Sequence, residues 1–185
     1  MEQLNTNILN DYQDTETLLG DSFTVKSHKG SEGVRRNPTD RGRNGIKVQV
    51  ISDEKGIIKS LVTAPANHHD SKIFANSLPA ISINGNHREI LLDSAYIGEK
   101  VKLAAEAKGL IPLVVPKKKR NGEYTHQLNS YQAIKIKKRW KVEQHIGMIR
   151  TNKGISNKYT TYLKTYEFYL EFVKLLINCY IVYVA

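Results

Sequence analysis

With 185 residues, 40% of them hydrophobic and 25% charged, the chain has the length of one ordinary domain and enough apolar material to bury a core, which excludes wholesale disorder. A single cysteine, Cys179, excludes an intrachain disulfide framework and a four-thiolate zinc site, and it points to the cytoplasm as compartment. Twenty-eight Lys and Arg against 18 Asp and Glu leave a formal charge of +10, so the expected partner is a nucleic acid, whose phosphates reward clustered cations through counterion release.

The first 20 residues are polar and acidic where an export signal needs a basic start and an apolar run, and they read as a short amino-terminal remnant or linker before a domain spanning residues 21–185. Ser22 to Ser27 alternates as a strand does, with Asp21 at its start. The stretch from Lys26 to Lys47, basic and rich in Gly, Asn and Pro, predicts a long mobile loop without the strand–turn–helix grammar of a nucleotide-binding loop. Lys47 to Ser52 and Ile57 to Thr63 flank the turn-forming Asp53-Glu54-Lys55-Gly56 and predict a hairpin. A helix follows from His69 or Asp70, with Ile73, Phe74 and Leu78 on one face, Asp70 as its cap, and a break near Pro79 and Asn84-Gly85-Asn86.

Glu89 to Asp93 is a short apolar run closing on a carboxylate. Gly98 to Lys108 is helical in composition with Gly109 as its C-cap, and Leu110 to Val115 is another apolar run, so the three predict a parallel βαβ unit. The last third is helical, carrying Ile136, Trp140, Val142, Ile146 and Ile149 and then Tyr159, Tyr162, Tyr166 and Tyr169 at intervals that favour core packing. Trp140 reads as an anchor against the sheet. Phe168 to Ala185 is interrupted by Glu171, Lys174 and Asn178 and is shorter than the roughly 20 apolar residues of a membrane span, so it predicts a buried terminal helix and no membrane. The order β-β-β-α-β-α-β-α predicts an α/β fold, a ribonuclease-H-like mixed sheet flanked by helices.

Between Lys117 and Lys158, 12 basic residues face two acids, Glu123 and Glu143, an excess equal to the whole net charge. Lys117, Lys118, Lys119, Arg120, Arg139 and Arg150 are the candidate DNA contacts in this stretch. Three carboxylates stand at places where α/β sheets expose chemistry: Asp21, Asp93 and Glu143. Glu143 has two readings, an ion pair with Arg139 one helical turn away or a ligand. In the second, the three acids converge on two Mg²⁺ ions, with Mn²⁺ able to replace them, because hard carboxylate oxygens suit such ions and phosphate chemistry uses them. His68, His69 and Asp70 form no zinc site, since adjacent histidines on an extended chain point apart and no cysteine lies near. Tyr96 and His145 lie near the acids in sequence but are not assigned to substrate.

Several segments also resemble, in order, the DDE transposases of bacterial insertion sequences, in the group named after insertion sequences four and five. DSFTVKSHKG resembles the first acidic strand; VRRNPTDRGRNGIKVQVISDEKGIIKSLVTAPANHHDSKIF the Gly/Arg-rich loop, hairpin and alanine-asparagine-x-His-Asp element; LLDSAYIGEK the second-acid motif; RWKVEQHIGMIRTNKGISNKYTTYLKTYEFYLEF the third-acid helix. The resemblance covers roughly residues 21 to 180. It implies catalytic, metal-binding roles for Asp21, Asp93 and Glu143, phosphate contacts by Arg139 and Arg150, and metal-dependent cleavage at transposon ends followed by strand transfer into target DNA. It further implies work at the nucleoid as a homo-oligomer on DNA, with a separate end-recognition polypeptide a possible partner. Ser22 and Ser94 after the first two acids, and Gln144-His145 after the third, depart from the commoner residues without removing a ligand. The alternative is a catalytically inactive, truncated DNA-binding remnant.

Overall fold

The computed structural model describes residues 3–4, 9, 12, 15–27, 31–38, 40–78, 81, 88–152 and 155–184. β1 (Thr17–Ser27), β3 (Asn44–Asp53) and β4 (Ile58–Pro65) form an antiparallel meander, with β2 (Arg35–Arg36) pairing the first residues of β3. Helix α1 (Asp70–Ser77) follows, then β5 (Glu89–Leu92), a 3₁₀ turn at Ser94–Tyr96, α2 (Glu99–Glu106) and β6 (Ile111–Val114). The last third holds α3 (Ser130–Ile136), a 3₁₀ turn at Lys137–Arg139, α4 (Trp140–Thr151), β7 (Asn157–Lys158) and α5 (Leu163–Tyr183). The path across the sheet is β2-β3-β1-β5-β6, with β4 also on β3 and β7 on the end of β1, and both β5 and β6 run parallel in the expected βαβ unit.

Alternation along the strands sends side chains to two cores. Leu19, Phe23 and Val25 of β1 and Val48 and Val50 of β3 pack against Val142, Ile146 and Ile149 of α4 and Tyr166, Leu170 and Val173 of α5. On the opposite face Leu18, Ile51, Ile90 and Leu92 meet Phe74, Tyr96, Val101 and Ala105. The mixed sheet flanked by helices is the predicted class.

Several local expectations need correction. Asp21 does not begin β1: the strand starts at Thr17, and Thr17 to Gly20 are all buried, so both faces are covered and no alternation marks them. The long mobile loop shrinks, because β1 continues to Ser27, a turn from Asp40 to Arg43 is closed by backbone bonds, and β3 begins at Asn44. His69, not Asp70, caps α1 by accepting from the Ser71 amide, while Asp70 is the first helical residue and faces Lys47 and Ser22. The predicted break near Pro79 and Asn84 to Asn86 lies outside the described residues. Gly109 does terminate α2, at a φ of 72° that favours glycine, its amide donating to Glu106.

Trp140 is 52% exposed and lies outside the buried core, whereas Val142, Ile146 and Ile149 pack α4 onto the sheet. Of the tyrosines, Tyr166 is buried and donates to the Ile155 carbonyl, whereas Tyr159 and Tyr162 are exposed. The terminal helix is buried on one side only, since Phe168, Phe172, Leu176, Tyr180 and Tyr183 face outward. Among the described residues no helix is long and apolar enough to cross a membrane.

Candidate active site

The parallel register of β1 and β5 sets Gly20 beside Leu92, so the next residue on each strand, Asp21 and Asp93, stands at adjoining positions. Because Leu19 and Leu91 belong to the core under α4, the two-residue period places both acids on that face. Each carboxylate is held by its own Oδ1: Asp21 accepts the Ser22 amide at 2.8 Å and Asp93 the Ser94 amide at 2.7 Å. Burial pushes the Asp21 carboxyl up to about 6, moderated by the Ser22 amide and the Arg139 guanidinium and reinforced by the negative charges of Asp93 and Asp70.

Glu143 lies in the first turn of α4, whose inner face packs on the sheet and whose His145 is buried with Nδ1 2.8 Å from the Ser52 hydroxyl. Burial also holds His145 below its ordinary pKa, which disfavours its cationic form. Glu143 itself is 61% exposed, and its Oε1 accepts from Arg139 Nη2 at 2.9 Å. The other arm of that guanidinium, Nη1, stands 3.7 Å from Asp21 Oδ2. One cation therefore joins the first and third acids, with Glu143 in the ion pair to Arg139 one helical turn away. As the side chains stand, no three His, Cys, Asp or Glu groups among the described residues form a metal cluster. The donor chemistry still fits a hard divalent cation: two adjoining carboxylates, each with Oδ2 outside its backbone bond, and a third carboxylate tethered to them through an exchangeable counter-ion.

The strand beneath the acids is stiffened by polar groups. Gln49 Nε2 donates to the Asp21 carbonyl, and the Tyr96 hydroxyl, buried against Phe74, donates to Gln49 Oε1. Asp70 Oδ1 accepts from both the Ser22 hydroxyl at 2.8 Å and Lys47 Nζ at 2.9 Å. Sequence reading missed Lys47 and Gln49, which alternate as outward strand positions do but are covered here; Asp70 was read as a helix cap and within the alanine-asparagine-x-His-Asp element, not as their partner. Tyr96 and His145 are both buried, Tyr96 bonded to Gln49 beneath Asp21 and His145 to Ser52.

The candidate DNA contacts spread around this centre. Arg139 sits within it, and Arg150, two turns beyond Glu143, is exposed with its guanidinium 6.0 Å from the Phe23 ring centroid. Lys117, Lys118, Lys119 and Arg120 lie on an exposed turn after β6, pinned by the Lys118–Tyr124 bridge and by the Lys119 amide donating to Glu123.

The sequence profile of the transposase DDE domain matches residues 12–179. Among solved structures, the chain is similar to the piggyBac transposase in its synaptic complex with hairpin DNA, at a TM-score of 0.59 and 9% identity, over 97% of this chain and 49% of that one. It thus spans about half the length of that protein, and at such identity the likeness concerns the fold alone. Comparison with curated proteins finds no match. With that profile matching nearly the whole sequence, this chain belongs to the transposase DDE domain family.

Proposed function

We propose that the chain is the catalytic core of a DNA transposase that cuts at transposon ends and joins them to target DNA, of the type found in the insertion sequence four and five group. The observation that carries this reading is the juxtaposition of Asp21 and Asp93 by the β1–β5 register, with Glu143 reached through Arg139 from the helix packed over them. Asp21, Asp93 and Glu143 would hold two Mg²⁺ ions, or Mn²⁺ in their place. When bound, such ions render water or a 3′-hydroxyl nucleophilic and offset charge on the leaving oxygen. Asp21 and Asp93 supply a fixed pair of carboxylates on the rigid sheet. Arg139 keeps Glu143 and Asp21 charge-compensated until it is released to the DNA backbone, and Lys117 to Arg120 and Arg150 hold that backbone on either side. Assembly as a homo-oligomer on DNA, with end recognition from a separate polypeptide, belongs to the same proposal, as does action at the cytoplasmic nucleoid.

The test is cleavage of labelled DNA carrying the element's ends in Mg²⁺ or EDTA, by the unmodified chain, Asp93→Asn and Glu143→Gln. Metal-dependent cutting and joining by the unmodified chain, lost in both variants, is expected. Salt-dependent binding without any cutting would overturn the enzyme reading and leave a DNA-binding remnant.

A further inference from the structure

Helix α4 carries Glu143 but has no fixed start of its own. Its N-cap, Arg139, makes no side-chain cap bond, and the backbone stays helical from Ile136 through the 3₁₀ turn to Trp140. Apolar packing by Val142, Ile146 and Ile149 holds the helix on the sheet, but that attraction is non-directional and tolerates a small roll about the helix axis. Directional bonds to this part of the chain come from the turn between β3 and β4. The Ser52 hydroxyl lies 2.8 Å from His145 Nδ1, the Glu54 carboxylate accepts from Lys138 Nζ at 3.0 Å, and the Glu54 carbonyl accepts from Lys141 Nζ at 3.4 Å. The His145 ring also lies against Gly56, where a Cβ would stand 3.2 Å from its Nε2.

The turn is itself stiff. Asp53 is fully buried, and its Oδ1 accepts the Lys55, Gly56 and Ile57 amides at 3.0, 2.9 and 3.0 Å while its Oδ2 accepts the Tyr12 hydroxyl at 2.6 Å. At 3.6 residues per turn, Lys141 and Glu143 stand about 200° apart around α4. The turn therefore grips one flank of the helix, and Glu143 extends from the other, where Arg139 ties it to Asp21. A roll of about 10° would carry a carboxylate lying about 6 Å from the helix axis through roughly 1 Å. Misplacement on that scale can slow a reaction about a hundredfold.

We propose that the β3–β4 turn positions the third acid: Ser52 and Glu54 are positioning residues that fix the roll of α4, and so the reach of Glu143 toward the ions that Asp21 and Asp93 would hold. The inference rests on the transposase reading of the three carboxylates and adds to it that a turn outside the triad sets the geometry of its third member.

The experiment titrates Mn²⁺ into the full chain, with free metal followed by electron paramagnetic resonance, in a double-mutant cycle between the turn and Glu143. Ser52→Ala/Glu54→Gln should weaken Mn²⁺ binding about tenfold, the lower end for residues that orient a metal ligand. In a Glu143→Gln background the same two changes should weaken it less than twofold, because no third carboxylate is left to aim. A general loss of stability, or the lost Glu54 charge acting at a distance, would weaken both backgrounds by one factor. That additivity overturns the positioning role, as does a turn variant that binds Mn²⁺ as tightly as the unmodified chain. Tyr166→Phe, which removes the bond to the Ile155 carbonyl, is the control for lost stability and should leave Mn²⁺ affinity unchanged. Should Ser52→Ala prevent folding, Glu54→Gln alone is carried through the same cycle, with the same dependence on Glu143 expected. The two readings fail differently: a Glu143→Gln chain that binds Mn²⁺ like the unmodified one refutes Glu143 as a ligand and the positioning with it, whereas a Glu143-dependent affinity with an additive turn variant refutes the positioning alone.

Discussion

Replacing Asp21 with Asn should make the protein more stable at neutral pH. The carboxyl is about three-quarters covered, and its pKa rises from 3.8 to about 6, chiefly through burial. A rise of this size means the fold holds the proton more tightly than the unfolded chain does, at about 1.4 kcal/mol per unit. The stabilising contribution of protonated Asp21 is complete below pH 3.8 and is lost as pH rises through 6, so at pH 8 the ionised group costs the fold about 3 kcal/mol. Asparagine keeps the shape and can still accept the Ser22 amide, but carries no charge to desolvate. Asp21→Asn should therefore melt roughly 6–12 °C above the unmodified chain at pH 8, with the gap closing toward pH 4. Thermal melts of both proteins in EDTA, from pH 4.5 to 8.5, measure it. A variant that melts at or below the parent at pH 8, or a gap that does not move with pH, would refute the reasoning.

Other substitutions probe neighbouring features. Arg139→Gln removes the guanidinium that favours ionised Asp21, so the Asp21 carboxyl should titrate above 6 by NMR, and an unchanged or lower value would deny the pairing. Glu54 is partly desolvated, which raises its pKa, but Lys138 and Lys141 outweigh this and hold it below the usual glutamate range. Its contribution is present above the unfolded value and lost as pH falls through the depressed one, so Glu54→Gln should lose about 1 kcal/mol at pH 7 and nothing near pH 3, by denaturant titration. Gly45→Ala would drive a methyl into the Val25 carbonyl where β1 and β3 pair, and should lower the denaturant midpoint by the equivalent of about 3 kcal/mol.

The sheet was legible because its turns and apolar runs are strongly marked: Asp53 to Gly56 between two strands, Gly109 after α2, and the run Ile90-Leu91-Leu92. What sequence hid lies where burial replaces periodicity. Thr17 to Gly20 is covered on both sides, so nothing distinguished the first four residues of β1 from a linker. Lys47 and Gln49 sit at positions that alternate with Val48 and Val50 and would face water in a one-sided sheet; α1 and the 3₁₀ turn cover them, and their polar atoms are spent on Asp70, the Asp21 carbonyl and Tyr96. Trp140 misled because size alone suggested burial, whereas the inward stripe of α4 begins at Val142. Helix α3 has no buried residue to announce it, and its capping box, Asn129 with Gln132, emerges only from the structure. The acids were found through their motifs, while the shared guanidinium of Arg139 is a three-dimensional fact that spacing to Glu143 only half conveyed.

The crossover that carries the chain from β1 through the meander and α1 back to β5 has a consequence for biosynthesis. Asp21 and Asp93 become neighbours only when the parallel strand docks, and Glu143 arrives later still, on a helix that needs the finished sheet to lie on. At roughly 5–20 residues per second, the approximately 120 residues between the first and third acids take about 6–24 s to translate, and for that interval the nascent chain lacks the helix that carries Glu143. Residues 1–116 carry 14 Lys and Arg against 14 Asp and Glu, so the nascent chain stays charge-balanced until its basic run emerges together with the third acid.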